Sequence, residues 1–427
     1  MNLDRLAIRY VATIGRTTSM IWFAILLSGS HALGQADEPS MPPSEAYKDA
    51  MAPFNEARMQ ADDLTDADRF ALGIGINRAA RHCLSLSTDL HAFDATTKEL
   101  LALGELCILG QQFAPAQSAL VTYLALPQPP ERKLALVLLI RALLGLGEPD
   151  GADLQVDSLL RDYPYDAQTH FAIDQVIDAQ EAAAAHLPHA LAQAQKDCAA
   201  QNKETLPLLE NGNGIEGKEM SASPSAIFMD AVRCAALARD LGDKSGENAI
   251  QRLNTIVQQA TWSGRADLPL MQAALARQQM VGTKCPVTTL RGHGLQNGSL
   301  IPRMVPLANG SVVLVAVSVW APGSLGVLRD LAQKLPNTPI YAITSWSANS
   351  GSHDAPSDSV FSALRAFQQS SPKHVALLIV PQPVMENFHV DSFPVGFVIR
   401  DGKVVFSGNL SGPGSEQMLL RPLDHNR

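Results

Sequence analysis

Residues 311–319 read Ser-Val-Val-Leu-Val-Ala-Val-Ser-Val, an apolar, β-branched run without polar alternation. A strand with one wet face alternates apolar and polar side chains, so this run fits a strand buried on both faces. Such a strand needs packing layers on either side of its sheet, and the chain that follows supplies them. Helical spacing runs from Leu325 to Leu335, and a second apolar strand covers Ile340–Ser345. Helical spacing returns over Ser359–Gln369, and a third apolar run is Val375–Val380. Strands alternating with helices predict a parallel-containing sheet covered by helices. Asp401-Gly402, between two further apolar runs, predicts a two-residue hairpin turn.

The chain before this region is different. From about Glu45 to Met280 it is rich in Ala and Leu at spacings of three and four, which predicts an all-α module. Charge marks the change: the whole chain carries −9, residues 37–284 carry −13 and residues 285–427 carry +2. The expected organisation is therefore an N-terminal segment 1–36, an α module 37–284 and an α/β domain 285–427. An acidic balance with few aromatics and no basic stripe argues against a nucleic-acid partner.

Segment 1–36 has the order of a secretory signal peptide. Arg5, Arg9 and Arg16 precede the apolar core Met20–Leu27, and small residues follow up to Ala36, with cleavage expected after Gly34 or Ala36. The expected location is periplasmic or extracellular, the alternative being a chain tethered by an uncleaved N-terminus. No cysteine lies at the cleavage region, so a lipoprotein is not expected. No integral membrane span is expected beyond the signal. The apolar run Leu134–Leu146 is thirteen residues long and holds Arg141, which suits a buried helix in water-soluble surroundings.

Inside the α module, two stretches carry a pattern. Leu103, Gly104, Cys107, Phe113, Ala116 and Leu120 form the first; Leu139, Leu143, Gly147, Ala152, Val156, Leu159 and Pro164 repeat it 36 residues on. Small residues such as Ala116 and Ala152 let helices approach closely, Gly147 relaxes a turn, and Pro164 ends the pair. The pattern resembles tetratricopeptide helical hairpins over about 97–166, and that resemblance implies a surface for partners. A plain helix bundle buries the same residues and remains the other reading. Leu206–Pro224 is expected to be a loop. It contains Gly212-Asn213-Gly214-Ile215-Glu216-Gly217-Lys218-Glu219, close to a phosphate-binding loop. Glu219 replaces the required hydroxyl and sets a carboxylate against any phosphate, so no nucleotide site is expected.

The chain has five cysteines and no Cys-x-x-Cys. In an oxidising compartment Cys83–Cys107 and Cys198–Cys234 would staple neighbouring helices and leave Cys285 free, although sequence alone leaves the pairing open. The histidines, among them His186, His189, His353, His374 and His389, show no metal-ligand spacing, so neither metal nor other cofactor is expected. No Gly-x-Ser-x-Gly motif supports a hydrolase.

The segment Phe388-His389-Val390-Asp391-Ser392-Phe393-Pro394-Val395, followed by a strand, Asp401-Gly402 and a second strand, resembles the thioredoxin superfamily. Trp320 at the end of the first long strand, Cys285-Pro286 at the start of the region and a separation of 74 positions from Trp320 to Pro394 resemble its TlpA/ResA-like branch of exported thiol–disulfide proteins. The resemblance covers about a third of the chain and implies a thioredoxin-like α/β sandwich with a cis-proline at Pro394. It also implies a client-binding groove formed by Trp320, Pro322, Phe393, Pro394 and Val395.

The family's Trp-Cys-x-x-Cys is absent. Ala321 and Ser324 stand at the two redox positions in Trp320-Ala321-Pro322-Gly323-Ser324. A methyl group cannot attack sulfur, and a serine hydroxyl is not ionised at neutral pH. No catalytic residue is therefore expected. The leading expectation is a redox-inactive envelope protein that binds a protein or peptide; the alternative is a thiol–disulfide enzyme that uses Cys285 as a lone reactive thiol.

Overall fold

The computed structural model describes residues 41–56, 66–87, 97–217, 221–296, 299–321, 323–350, 358–412 and 415–424. The expected signal segment 1–36 and the groove residue Pro322 lie outside the described residues. The chain divides into two compact units: Met1–Ala179 with Glu216–Ser221, and Gln180–Ile215 with Ala222–Arg427. The charge step near residue 284 thus falls within the second unit.

The first unit is built from α1 (Pro43–Glu56), α2 (Asp66–Leu86), α3 (Thr97–Leu109), α4 (Phe113–Leu124), α5 (Arg132–Gly145), α6 (Pro149–Asp162) and most of α7 (Ala167–Ala183). Consecutive helices pack as hairpins, α1 with α2, α3 with α4 and α5 with α6, and α3 also packs against α1 and α5. Ala116 and Ala152 are fully buried, as close helix approach requires. A Cβ on Gly104 would lie 2.6 Å from the Leu120 side chain, so only glycine fits there. Gly147 turns the chain between α5 and α6 with φ +76°. The α1–α2 hairpin carries no legible copy of the sequence pattern. The Cys83–Cys107 disulfide ties α2 to α3 across 24 residues.

The second unit begins with the end of α7 and α8 (Ala190–Glu210). The expected loop 206–224 is shorter than its composition suggests: α8 continues through Pro207 to Glu210, held by buried Leu206 and Leu209. One lost N–H at Pro207 does not outweigh that burial. A small hairpin, β1 (Ile215–Glu216) and β2 (Ser221–Ala222), precedes α9 (Pro224–Asp240), α10 (Lys244–Val257) and α11 (Leu268–Met280). Cys198–Cys234 joins α8 to α9.

A seven-stranded sheet follows: β3 (Thr289–Gln296), β4 (Ser299–Pro306), β5 (Ser311–Ala316), β6 (Ile340–Thr344), β7 (Val375–Ile379), β8 (Val395–Arg400) and β9 (Lys403–Asn409). Its order is β4-β3-β7-β6-β5-β8-β9. β5, β6 and β7 run parallel, while β8 and β9 run antiparallel at one side and β3 and β4 at the other. β5 is the doubly buried strand its composition demands. Val313 and Val315 face a core with α12 (Ser324–Lys334), α14 (Asp358–Ser370) and α16 (Ser415–Asp424). Val312, Leu314 and Ala316 face a second core with Phe388, Phe397 and Met385, the last from α15 (Gln382–Asn387). The short helix α13 (Ser347–Ser350) lies just after β6.

The edge of β9 is covered by the chain leading out of α11. Gly282 N–H donates to the Val404 carbonyl at 2.8 Å, and Cys285 N–H to the Gly402 carbonyl at 2.8 Å. Gln278 Nε2 donates to the Ser407 carbonyl at 2.8 Å. Asp401 and Gly402 have φ of +47° and +73°, the two positive values that the tight hairpin turn needs.

Candidate functional site

The register fixes which residues share an end of the sheet. Ala316, the last residue of β5, pairs with Val395, the first of β8. The loop Ser318–Ala321 therefore leaves β5 beside the segment that delivers Phe393 and Pro394 into β8. The Phe393–Pro394 peptide is cis. Central parallel strands with helices on both faces, a cis-proline entering the antiparallel neighbour and an aromatic loop beside it make one arrangement. They form the α/β sandwich expected from the sequence, a mixed sheet with helices on both faces.

At this end of the sheet Trp320 is 60 % exposed, but it is not loose. Its indole N–H donates to the Asn349 carbonyl at 2.7 Å, and its backbone N–H to Ser318 Oγ at 3.3 Å. Asn349 organises the loop further: its Oδ1 accepts from Val319 N–H at 2.9 Å, and its Nδ2 donates to Thr344 Oγ1 and the Ser345 carbonyl. Gln382 Oε1 accepts from Ser345 Oγ at 2.8 Å and also from Ser347 Oγ. Sequence reasoning missed Ser318, Asn349 and Gln382, because single polar residues in short connections carry no periodic or motif signal.

The groove candidates differ in what they offer. Phe393 is half-buried, whereas Pro394 and Val395 are buried; Val395 is core beneath the edge. The Pro394 carbonyl accepts from Leu410 N–H at 2.9 Å. Among the described residues, neither the N–H nor the C=O of Phe393 makes a backbone hydrogen bond. Arg277 of α11, 2 % exposed, donates to the His389 carbonyl and the Asp391 carboxylate, and so holds the loop before the proline. Desolvation, and secondarily the Arg277 charge, lowers the pKa of His389.

Ala321 is half-buried and Ser324 fully buried at the start of α12, with no hydrogen-bond partner for Ser324 Oγ among the described residues. Cys285 is not brought to this end. It bonds to Gly402 at the β8–β9 turn, and Arg400 beside that turn pairs with Ser311 at the opposite end of β5. Five residue steps along β5 separate the two ends by about 17 Å. Burial raises the thiol pKa of Cys285, the reverse of what a reactive cysteine needs. Among the described residues no cluster of three His, Cys, Asp or Glu side chains is placed to hold a metal ion, and no helix is long and apolar enough to cross a membrane.

No family model matches the chain, and no curated protein matches it. Among solved structures it is similar to the 1.7 Å crystal structure of a thioredoxin-like protein from Aeropyrum pernix, at 16 % identity. That match covers 32 % of this chain and 89 % of the other, with a TM-score of 0.26.

Proposed function

We propose that this chain is an exported, redox-inactive thioredoxin-like protein of the TlpA/ResA-like type that captures an extended protein or peptide segment in the cell envelope. The observation that carries the reading is Phe393, whose N–H and C=O make no backbone hydrogen bond among the described residues, beside the exposed, hydrogen-bonded ring of Trp320. An incoming strand gains backbone hydrogen bonds from the first and an aromatic anchor from the second. Neither contribution requires a cysteine, which is consistent with Ala321 and Ser324 at the redox positions. Two disulfides support an oxidising compartment. The helical hairpins, read as tetratricopeptide-like, offer a second partner surface. What weighs against a thiol enzyme is Cys285, buried, raised in pKa and remote from this end.

The test is a pair of variants, Phe393→Asp and Trp320→Ala, each checked for an unchanged far-UV spectrum and melting curve. Co-purification from envelope extract is expected to lose partners with both. Equal recovery by folded variants would move the interaction to the helical hairpins. Export is tested separately, by mass spectrometry of the mature N-terminus, expected near Gln35 or Asp37; an intact Met1-containing chain retained in the cytosol sinks it.

A further inference from the structure

The hairpin of β3 and β4 carries an apolar surface that the sheet does not use. Ten large apolar side chains are exposed among the described residues, and three of them, Leu300, Ile301 and Met304, fall within five positions of β4. From Ser299 to Met304 every residue of the strand is exposed, so both of its faces are wet. Apolar residues scattered singly over a surface are ordinary, but a continuous group marks a contact. Three strands, β3, β7 and β6, separate β4 from β5, which leads to Trp320. The surface is therefore distinct from the peptide-capture edge.

Charge indicates what this surface meets. Between Asp267 and Asp330 the chain holds five Lys or Arg and no Asp or Glu. The register sets Arg291 opposite Met304, His293 opposite Pro302 and Leu295 opposite Leu300. Directly paired residues share a face, so a basic row on β3 flanks the apolar row of β4. On the other face Arg303 stands two positions from Ile301. Arg291 and Arg303 are exposed, and neither forms an ion pair among the described residues. β3 runs antiparallel to β7, so the hairpin extends toward the start of β7, where Lys373 and His374 are exposed. Both faces thus combine apolar side chains with uncompensated positive charge, which complements a lipid surface of negative charge.

The backbone points the same way. A partner strand, including β4 of a second copy, needs N–H donors along the free edge, and Pro302 and Pro306 supply none. Lipid makes the opposite demand, since an exposed N–H carried toward hydrocarbon loses its water. The two prolines make β4 a poor strand to pair with and a less costly one to press into a bilayer. We propose that the β3–β4 hairpin docks the protein on an anionic membrane surface. Leu300, Ile301 and Met304 enter the upper acyl region, and Arg291 and Arg303 meet the lipid phosphates.

The experiment attaches an environment-sensitive NBD label to the full-length protein at Ser299→Cys. Ser299 is exposed at the start of β4, whereas the native thiol of Cys285 is buried. Vesicles of phosphatidylcholine with about 30 % phosphatidylglycerol should shift the label emission to the blue, saturably, and phosphatidylcholine alone should not. Salt at about 0.5 M should reverse the shift. Arg291→Gln with Arg303→Gln should weaken binding about 25-fold, about fivefold for each charge. Leu300→Ser with Met304→Ser should weaken it about tenfold or more. No blue shift on the anionic vesicles overturns the inference, as attachment through segment 1–36 alone would give, because the label reports the hairpin. An equal shift on neutral vesicles, or undiminished binding by the glutamine pair, overturns it as well. A shift that grows with protein concentration in the absence of vesicles assigns the surface to a second copy and is equally fatal. Should melting curves show that the serine pair does not fold, the glutamine pair at exposed positions and the salt dependence still decide.

Discussion

Asp166 shows how much one side chain does at a helix start. Its Oδ1 accepts from Thr169 N–H at 3.0 Å, which caps α7, and pairs with Lys133 Nζ of α5 at 2.7 Å. Burial alone would raise the carboxyl pKa, but Lys133 and the Thr169 amide outweigh it and the net shift is downward. A depressed carboxylate contributes stability that is present above its unfolded value near 4 and lost as pH falls through the lower folded value. Asp166→Ala should cost about 1–2 kcal/mol at neutral pH, read from urea midpoints. The difference from wild type should shrink as pH drops below about 4; a difference constant with pH would remove the electrostatic part of this account. Just before and at the start of α12, Ala321 offers a methyl group and Ser324 a buried hydroxyl, and neither is a thiol.

Helices and strands begin and end here for local reasons. Ser223 caps α9 by accepting from Ala226 N–H at 3.2 Å, with Pro224 at the first helical position, and Asp243 caps α10 through Ser245 N–H at 2.8 Å. Two glycines give opposite predictions. A Cβ on Gly110 would sit 2.4 Å from the Ala80 backbone nitrogen of α2, which no side chain can vacate. Gly326, exposed within α12, has nothing within 4 Å of its would-be Cβ. Gly110→Ala should therefore destabilise by about 1–3 kcal/mol, whereas Gly326→Ala should stabilise by about 0.5–1 kcal/mol. Thermal melts of both variants check the pair, and equal signs would refute the packing argument. β4 is the exposed edge of the sheet and carries Pro302 and Pro306 four residues apart on the same side of the strand alternation. A proline donates no N–H, so this edge is blunted against strand addition despite exposed Leu300 and Met304.

The whole second unit makes a prediction that composition alone would have reversed. Across the charge step near residue 284 the chain stays packed: Thr289–Gln296 is strand β3, and the approach to it is stitched to β9. Removing α11 takes away Gln278 from Ser407 and Arg277 from the largely covered carboxylate of Asp391, and uncovers the apolar face on which Met280 packs. Each hydrogen bond lost is worth about 1 kcal/mol and each large apolar side chain uncovered about 1.5–3 kcal/mol, together a large part of a domain's stability. Residues 285–427 alone should thus denature at much lower urea than residues 180–427, or fail to melt cooperatively. A fragment 285–427 as stable as the longer one would show that α11 is an ornament to this sheet.

How far the fold was legible follows from where its information lies. β5, α12, β6, α14, β7 and the Asp401-Gly402 hairpin sit in the sequence within a residue or a few of their observed ends, because burial periodicity and turn chemistry are local properties. The relation of Trp320 to Pro394 came from resemblance, and the Ala316–Val395 register supplies its physical basis. β3 stayed hidden because Thr-Leu-Arg-Gly-His-Gly-Leu-Gln has two glycines and little apolar pattern; Gly292 is there because a Cβ would come within 2.5 Å of the Ile379 carbonyl. Asn349, Gln382 and Arg277 were equally invisible, since a buried polar side chain acquires its meaning from partners distant in sequence. By itself, then, the sequence determined the alternation of elements from β5 to β7, the Asp401-Gly402 turn and the doubly buried strand, all set by side-chain chemistry over a few residues. Tertiary structure alone decided the strand register, the integration of α11 with the sheet and, among the described residues, the lack of a backbone partner for Phe393, because each depends on which distant groups meet once the chain has closed.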